Sequence, residues 1–165
     1  MPISAAPAPG TTAKNGAREA PSLEASLIAT VAPVMRHLLA HARRRRTWSE
    51  LTYQQYNVLR MIDTMGPQAQ ADVARRLMVT APVVTRLAAT LADTGLVERR
   101  TDAKDRRSVI LALTPTGRRR ARAMRRDLLA AAQELLAPLP EERRAAVAAA
   151  LEELQVLLPD HSARR

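Results

Sequence analysis

From Ser22 onward the apolar positions recur at spacings of three and four. Leu23, Leu27, Val31, Val34, Leu38 and Ala42 form one stripe of a helix. Ser22 is its expected N-cap and Glu24 suits the positive end of the helix dipole, but Ala25 stands where a capping box needs Glu or Gln. Pro33 removes a backbone bond and predicts a kink or a split. The run closes on Arg43-Arg44-Arg45-Arg46. Thr52 caps a second helix that reaches about Asp63, buries Tyr56, Leu59 and Ile62, and stops at Gly66-Pro67. A short third helix runs from about Gln70 to Leu77 with Val73 and Leu77 inward, and Met78-Val79 turns the chain tightly. Thr80 caps a fourth helix with Pro82 in its first turn, where a missing N–H is harmless. That helix passes through Val84, Leu87 and Leu91 to Gly95, a left-handed stop. The period then falls to two. Leu96–Thr101 and Ser108–Leu113 read as strands of a hairpin with a charged tip. Thr114-Pro115 opens a long fifth helix with Ala121, Met124, Leu128, Ala132 and Leu135 as its stripe; Pro138 and Pro140 end it. The last helix, about Glu141 to Leu158, carries Val147, Leu151, Leu154 and Leu158. Before Ser22 the prolines and glycines of residues 1–21 predict a disordered arm.

Composition sharpens this picture. Of 165 residues 47% are hydrophobic but only 2% aromatic, with no Phe, so the core is built from Leu, Val, Ala, Ile and Met, and the chain leans strongly helical. Such a core is modest, and pairing with a second copy is a natural remedy. The net charge of +10 favours a polyanion. Nucleic acid and an anionic membrane surface both satisfy that, as does a basic protein that is merely soluble. The lack of cysteine rules out disulfides, thiolate metal sites and thiol redox sensing. Met1–Ala20 has no apolar core of a signal peptide, and no stretch reads as long and apolar enough to span a bilayer. The expectation is a cytoplasmic protein, nucleoid-associated when bound to DNA, with no membrane partner. His37 and His41 lie one helical turn apart, but with His161 as the only other imidazole a shared metal is not expected. No Gly-rich phosphate loop, nucleophile-and-base pair or catalytic carboxylate pair is present, so the chain reads as no enzyme and as needing no cofactor.

The order of elements is that of a helix-turn-helix followed by a β-wing: a mainly α fold with a small β-wing, flanked by terminal helices suited to dimerisation. In such units the second helix of the motif enters the major groove. Thr80, Ala81, Pro82, Val83 and Thr85 keep its start short-chained, so it can approach a duplex closely. Arg86 projects outward, able to donate two bonds to a guanine edge, or to serve as a solvated charge. Thr80, Thr85 and Thr90 are candidate phosphate contacts, and Arg75 and Arg76 on the preceding helix can follow the backbone.

Particular runs carry a resemblance. Leu51-Thr52-Tyr53-Gln54-Gln55-Tyr56-Asn57-Val58-Leu59, Val84-Thr85-Arg86-Leu87, Asp93-Thr94-Gly95-Leu96-Val97-Glu98-Arg99, and above all Asp105-Arg106-Arg107 with Leu113-Thr114 resemble the MarR family of winged helix-turn-helix regulators over about residues 23–158. Met78, where many relatives have Gly, and Pro33 depart from its pattern. The resemblance implies that Arg107 enters the minor groove, braced by a salt bridge from Asp105, with Arg106 and Lys104 on phosphate; the alternative is a solvated turn of compensating charges. It implies a homodimer through Leu23, Leu27, Val147, Leu151, Leu154 and Leu158, the alternative being an intrachain bundle. It divides the chain into an arm (1–21), an N-terminal dimerisation helix (22–48), a DNA-binding lobe (49–115) and C-terminal linking and dimerisation helices (116–160). It also implies a cleft for a small aromatic or phenolic effector, for which His41, Arg44, Trp48, Tyr53 and Tyr56 are candidates; an ordinary junction core is the alternative. The arginines from Arg118 to Arg126 are read as partly solvated and are assigned no role. The function so implied is an effector-released repressor on a near-palindromic operator in double-stranded DNA. Its rivals are a ligand-independent or architectural DNA binder, and a protein-interaction module.

Overall fold

Local capping sets most of the element boundaries. In the computed structural model, which describes residues 22–48, 50–103 and 105–158, the Ser22 hydroxyl accepts from the Ala25 amide at 3.3 Å and starts helix α1 (Leu23–Ala42). The arm expected at residues 1–21, Lys104 and His161 lie outside the described residues. Thr52 starts α2 (Tyr53–Met65) with a full capping box: its hydroxyl accepts from the Gln55 amide at 3.2 Å, and the Gln55 side chain accepts from the Thr52 amide at 2.7 Å. This second bond explains how a glutamine can be buried at the lobe's edge. Gly66, at φ +78°, ends α2.

Strand β1 (Gln68–Ala69) leads into α3 (Gln70–Leu77), α4 (Ala81–Asp93), the hairpin β2 (Val97–Thr101) and β3 (Val109–Leu113), then α5 (Pro115–Leu136) and α6 (Glu141–Leu157). A 3₁₀ turn (Arg46–Trp48) joins α1 to α2. The sheet is antiparallel in the order β1-β3-β2, with Val97 opposite Leu113 and Gln68 opposite Leu111. The expected mainly helical fold with a small wing is thus observed, with one strand more than the periodicity predicts. Two residues are too few to show an alternation.

Val58, Leu59, Val73, Val84, Leu91, Leu111 and Met124 are fully buried and join α2, α3, α4, the sheet and the first half of α5 into one core. Ala42 and Trp48 extend it toward the end of α1. On α5 the stripe differs from expectation: Ala131 is buried and Leu135 exposed. Over its last turns the helix has α1 as its neighbour, with Glu134 on His41, and Leu135 stays uncovered.

Of the two outcomes expected at Pro33, a kink or a split, the second does not occur, and one further expectation about α1 is corrected. The helix runs unbroken across Pro33, so the chain does not split there. Proline frees the carbonyl of Ala29, which sits on an exposed part of the helix where water can satisfy it. At 20 residues and a mean hydropathy of 1.3, α1 is also long and apolar enough to cross a membrane, against the reading that no stretch is. Length and composition alone do not make it a span. Its surface carries Arg36, His37 and His41, and it packs on α5, where His41 Nε2 meets Glu134 at 2.6 Å.

Candidate nucleic-acid interface

The turn between α3 and α4 sets the angle of the outward helix. Met78 takes the left-handed conformation at φ +52° and ψ +41°, and the Val79 amide donates back to Ala74 at 3.0 Å, the bond pattern of a Schellman ending. Glycine is usual there because a Cβ is strained by about 1–2 kcal/mol. The Met78 side chain is 77% exposed and brings little packing in return. Met78→Gly is therefore expected to stabilise the fold by about 0.5–1 kcal/mol after allowing for the freer unfolded chain, and Met78→Val to destabilise it. Urea unfolding of the three proteins checks the order; a Gly variant less stable than wild type contradicts it.

On α4, Val84, Ala88 and Leu91 point into the core at helical spacing. The opposite face, with Ala81, Pro82, Thr85, Arg86 and Thr90, is exposed, and Val83 is half-buried. Thr80 holds the N-cap position but makes no capping bond, unlike Ser22 and Thr52. The Thr85 hydroxyl donates to Ala81 at 3.0 Å and accepts from Gln70 Nε2 at 2.6 Å; that of Thr90 donates to Arg86 at 3.1 Å. Both protons are thus spent on the helix itself, and each threonine must rotate before it donates to a phosphate. Arg86 has no acidic partner among the described residues and lines a groove with Gln54, Val83, Leu87 and Thr90. Gln54, at the start of α2, was not singled out from the sequence. It lies distant in the chain, and only the packing of α2 beside α4 brings it to Arg86.

At the wing, Asp105 does not form the expected salt bridge with Arg107 among the described residues. Its Oδ1 accepts from the Arg107 backbone amide at 2.9 Å, and Ser108 N donates to the Asp105 carbonyl at 2.9 Å. Two residues of separation close a side-chain turn onto the backbone more readily than an ion pair between the side chains. The bracing is kept, but the guanidinium is left uncommitted. Arg106 and Arg107 are exposed. A cleft of about 380 Å³ lined by Gln70, Ala71, Ala81, Asp105, Arg107, Ser108 and Val109 brings the loop of the wing beside the starts of α3 and α4. Arg75, also proposed as a contact, pairs with Asp72 on its own helix.

Among the described residues the five candidate effector residues stand in different settings. Trp48, 2% exposed, and Tyr56 stack at 5.1 Å between ring centroids inside the core, with Tyr53 6.1 Å from Tyr56. Burial raises the Tyr56 phenol above its ordinary pKa, opposed by Arg60 and Arg125. His41 is turned to Glu134, and Arg44 is exposed. Trp48 does border a cavity of about 490 Å³, but with Arg43, Glu50, Leu51 and Thr52. His37 and His41 are 6.2 Å apart between ring centroids.

The candidate dimer residues are all uncovered: Leu23, Leu27, Val147, Leu151, Leu154 and Leu158 are exposed, and so is every residue of α6. The intrachain bundle considered above is therefore not formed; α6 projects away from the lobe.

A model of the MarR family matches residues 49–108, from the start of α2 through the wing. The HTH-type transcriptional regulator YwoH of Bacillus subtilis (strain 168) is 33% identical over 92 residues, 56% of this chain and 66% of that protein. Among solved structures, apo wild-type MarR from E. coli superposes with a TM-score of 0.73 at 25% identity, over 86% of this chain and 99% of that one. The transcriptional regulator BldR from Sulfolobus solfataricus gives 0.63 at 25% identity, over 82% and 96%.

Proposed function

The chain belongs to the MarR family of transcriptional regulators, and from that premise we propose that it is a homodimeric repressor of a near-palindromic operator, released by a small effector. The observation that carries the DNA-binding part is the shared face of α4 and the wing: an exposed helix face of Ala81, Pro82, Thr85, Arg86 and Thr90 without an acidic side chain starts beside a cleft that Arg107 also lines, next to the exposed Arg106. Residues 49–115 form the reading lobe in this proposal, while residues 22–48 and 116–160 pair the two copies. A two-fold dimer sets two such heads about 34 Å apart, one turn of duplex. Each α4 enters a major groove, with Arg86 on a base edge, and each wing lays Arg107 into the neighbouring minor groove. Phosphate contacts carry much of the affinity, which falls steeply with salt. The protein acts in the cytoplasm, on the nucleoid.

Sequencing of genomic fragments selected by the protein tests the proposal: a two-fold motif with one-turn spacing supports it, and no enrichment over random DNA refutes it. On that motif, Arg107→Ala is expected to weaken binding about tenfold per head and to flatten its salt dependence, while Arg86→Ala relaxes base preference. Both variants binding like wild type in a gel-shift titration would sink the proposed docking.

A second reading, DNA binding without an effector, is favoured by the aromatic cluster itself. Trp48 and Tyr56 are packed into the core, and the cavity that Trp48 borders is shared with Arg43, Glu50, Leu51 and Thr52 and not with Tyr53 or Tyr56. Phenolic acids that release the DNA support the repressor; a full screen without release supports the second reading.

A further inference from the structure

A cationic cavity at the junction of α2 and α5 is not used by the DNA-facing surface. Arg118, Ala121, Arg122 and Arg125 fall at helical spacing on one side of α5, opposite Arg60, Asp63 and Thr64 on α2. Arg60, Asp63, Thr64, Ala121 and Arg125 line a cavity of about 250 Å³, with the small buried Ala121 leaving the room. Its single acid is Asp63. Arg118 Nη1 approaches Asp63 Oδ1 at 3.9 Å and Arg122 Nε approaches Oδ2 at 3.5 Å, both too long for good hydrogen bonds. Asp63 Oδ1 is buried with no hydrogen-bond partner. Neither Arg60 nor Arg125 has an acidic partner among the described residues, and both act on the same Tyr56 phenol. Two guanidiniums thus hold one carboxylate loosely while two more, Arg60 and Arg125, line the cavity beside it, a local excess of three positive charges.

We propose that this cavity binds a small dianion of the phosphate type, held by Arg60 and Arg125 and flanked by Arg118 and Arg122. The fork geometry of arginine matches the tetrahedral oxygens, and the Thr64 hydroxyl adds a neutral donor at the rim. Asp63 holds Arg118 and Arg122 in place while it weakens the anion by like charge. The cavity lies where α2 meets the first half of α5, against the shared core, so the bound anion tightens that joint within the reading lobe. The consequence for DNA, unlike the binding, rests on the reading proposed above: by linkage an anion that shifts the lobe's geometry changes DNA affinity by as much as DNA changes anion affinity.

Titration calorimetry of the full-length protein with sodium phosphate, against sodium chloride at equal ionic strength, tests the site. Saturable binding with phosphate alone is expected, with a rise in thermal midpoint of about 3 °C at ten times the Kd. Asp63→Asn keeps the shape, removes the competing charge and is expected to tighten binding at least threefold; Arg60→Ala with Arg125→Ala is expected to weaken it at least tenfold. Absence of saturation, or phosphate affinity unchanged in Asp63→Asn, overturns the proposal, and the second result decides even if the double variant does not fold. The phosphate could instead be that of a DNA backbone: operator affinity lost in the double variant together with phosphate binding also overturns a separate small-anion site, and operator affinity retained supports it. A wild-type protein that binds phosphate but no duplex refutes the regulator reading while leaving the anion site standing.

Discussion

Replacing Leu151 and Leu154 by glutamate is expected to convert the protein to a monomer and to lower operator affinity by about 10²–10⁴-fold, because two linked heads then bind as one. The argument starts from α6. It has 17 residues and makes no extensive packing with the rest of the chain, and an isolated helix of that length is marginal in water. Yet Val147, Leu151, Leu154 and Leu158 repeat on one stripe, with Leu151 51% and Leu154 38% exposed. Leu23, Leu27, Ile28 and Val31 on α1 are equally uncovered. An apolar surface of this extent marks an association face. Covering one leucine is worth about 1.5–3 kcal/mol, and two-fold symmetry counts each substitution twice, while a buried glutamate adds a desolvation penalty. Light scattering with size exclusion, followed by gel shift, reads both effects. A glutamate variant that stays dimeric at micromolar concentration, with operator binding intact, means that the pairing surface lies elsewhere.

Gly117→Ala is expected to destabilise the fold by about 3 kcal/mol or more and, in whatever fraction folds, to misplace the wing. A Cβ at Gly117 would lie 1.9 Å from the Leu96 carbonyl oxygen and 2.8 Å from its carbon, both backbone atoms that cannot rotate away. The same spot is bonded tightly: Thr114 Oγ1 donates to the Gly95 carbonyl at 2.7 Å, Thr114 N donates to the Leu96 carbonyl at 3.1 Å, and Gly117 N donates to Thr114 Oγ1 at 2.9 Å. One methyl group thus forces α5 away from the root of β2, which breaks these bonds and tilts the hairpin that carries Arg107. Gly95→Ala is the control. Gly95 has φ +68° but nothing within 4 Å of the added Cβ, so it is expected to lose only about 1 kcal/mol of backbone strain. Urea unfolding compares the two; a Gly117→Ala protein within about 0.5 kcal/mol of wild type would show that this contact relaxes freely.

Both predictions bear on regulation. In the proposed dimer the arms set how far apart the heads stand, and the Gly117 contact sets how each wing is aimed from its arm. A ligand that changes either one shifts affinity only by its own preference between the two states.

The order of elements, most of their ends and the family were legible in the residues. Ser22, Thr52 and Thr114 stop or start helices through bonds that span three residues, and the change of apolar period at Leu96 announces the hairpin before any long-range contact is made. The outward face of α4 was equally plain, because residues three and four apart share a side of a helix whatever surrounds it. What the chain could not announce were the relations between elements distant in sequence. Two residues of β1 become a strand only because β3 lies alongside, Gln54 joins Arg86 only through the packing of α2 on α4, Asp105 binds a backbone amide instead of a guanidinium, and Trp48 stacks on Tyr56 at a junction whose core the chain alone left open. Likewise Asp63 meets Arg118 and Arg122, and Gly117 touches Leu96, across a fold and not along a helix. Local bonds and periodicity are properties of a segment, so they can be read from it; burial, close approach and the partner of a charge depend on the free energy of the whole packed chain, and so the tertiary structure alone decided them.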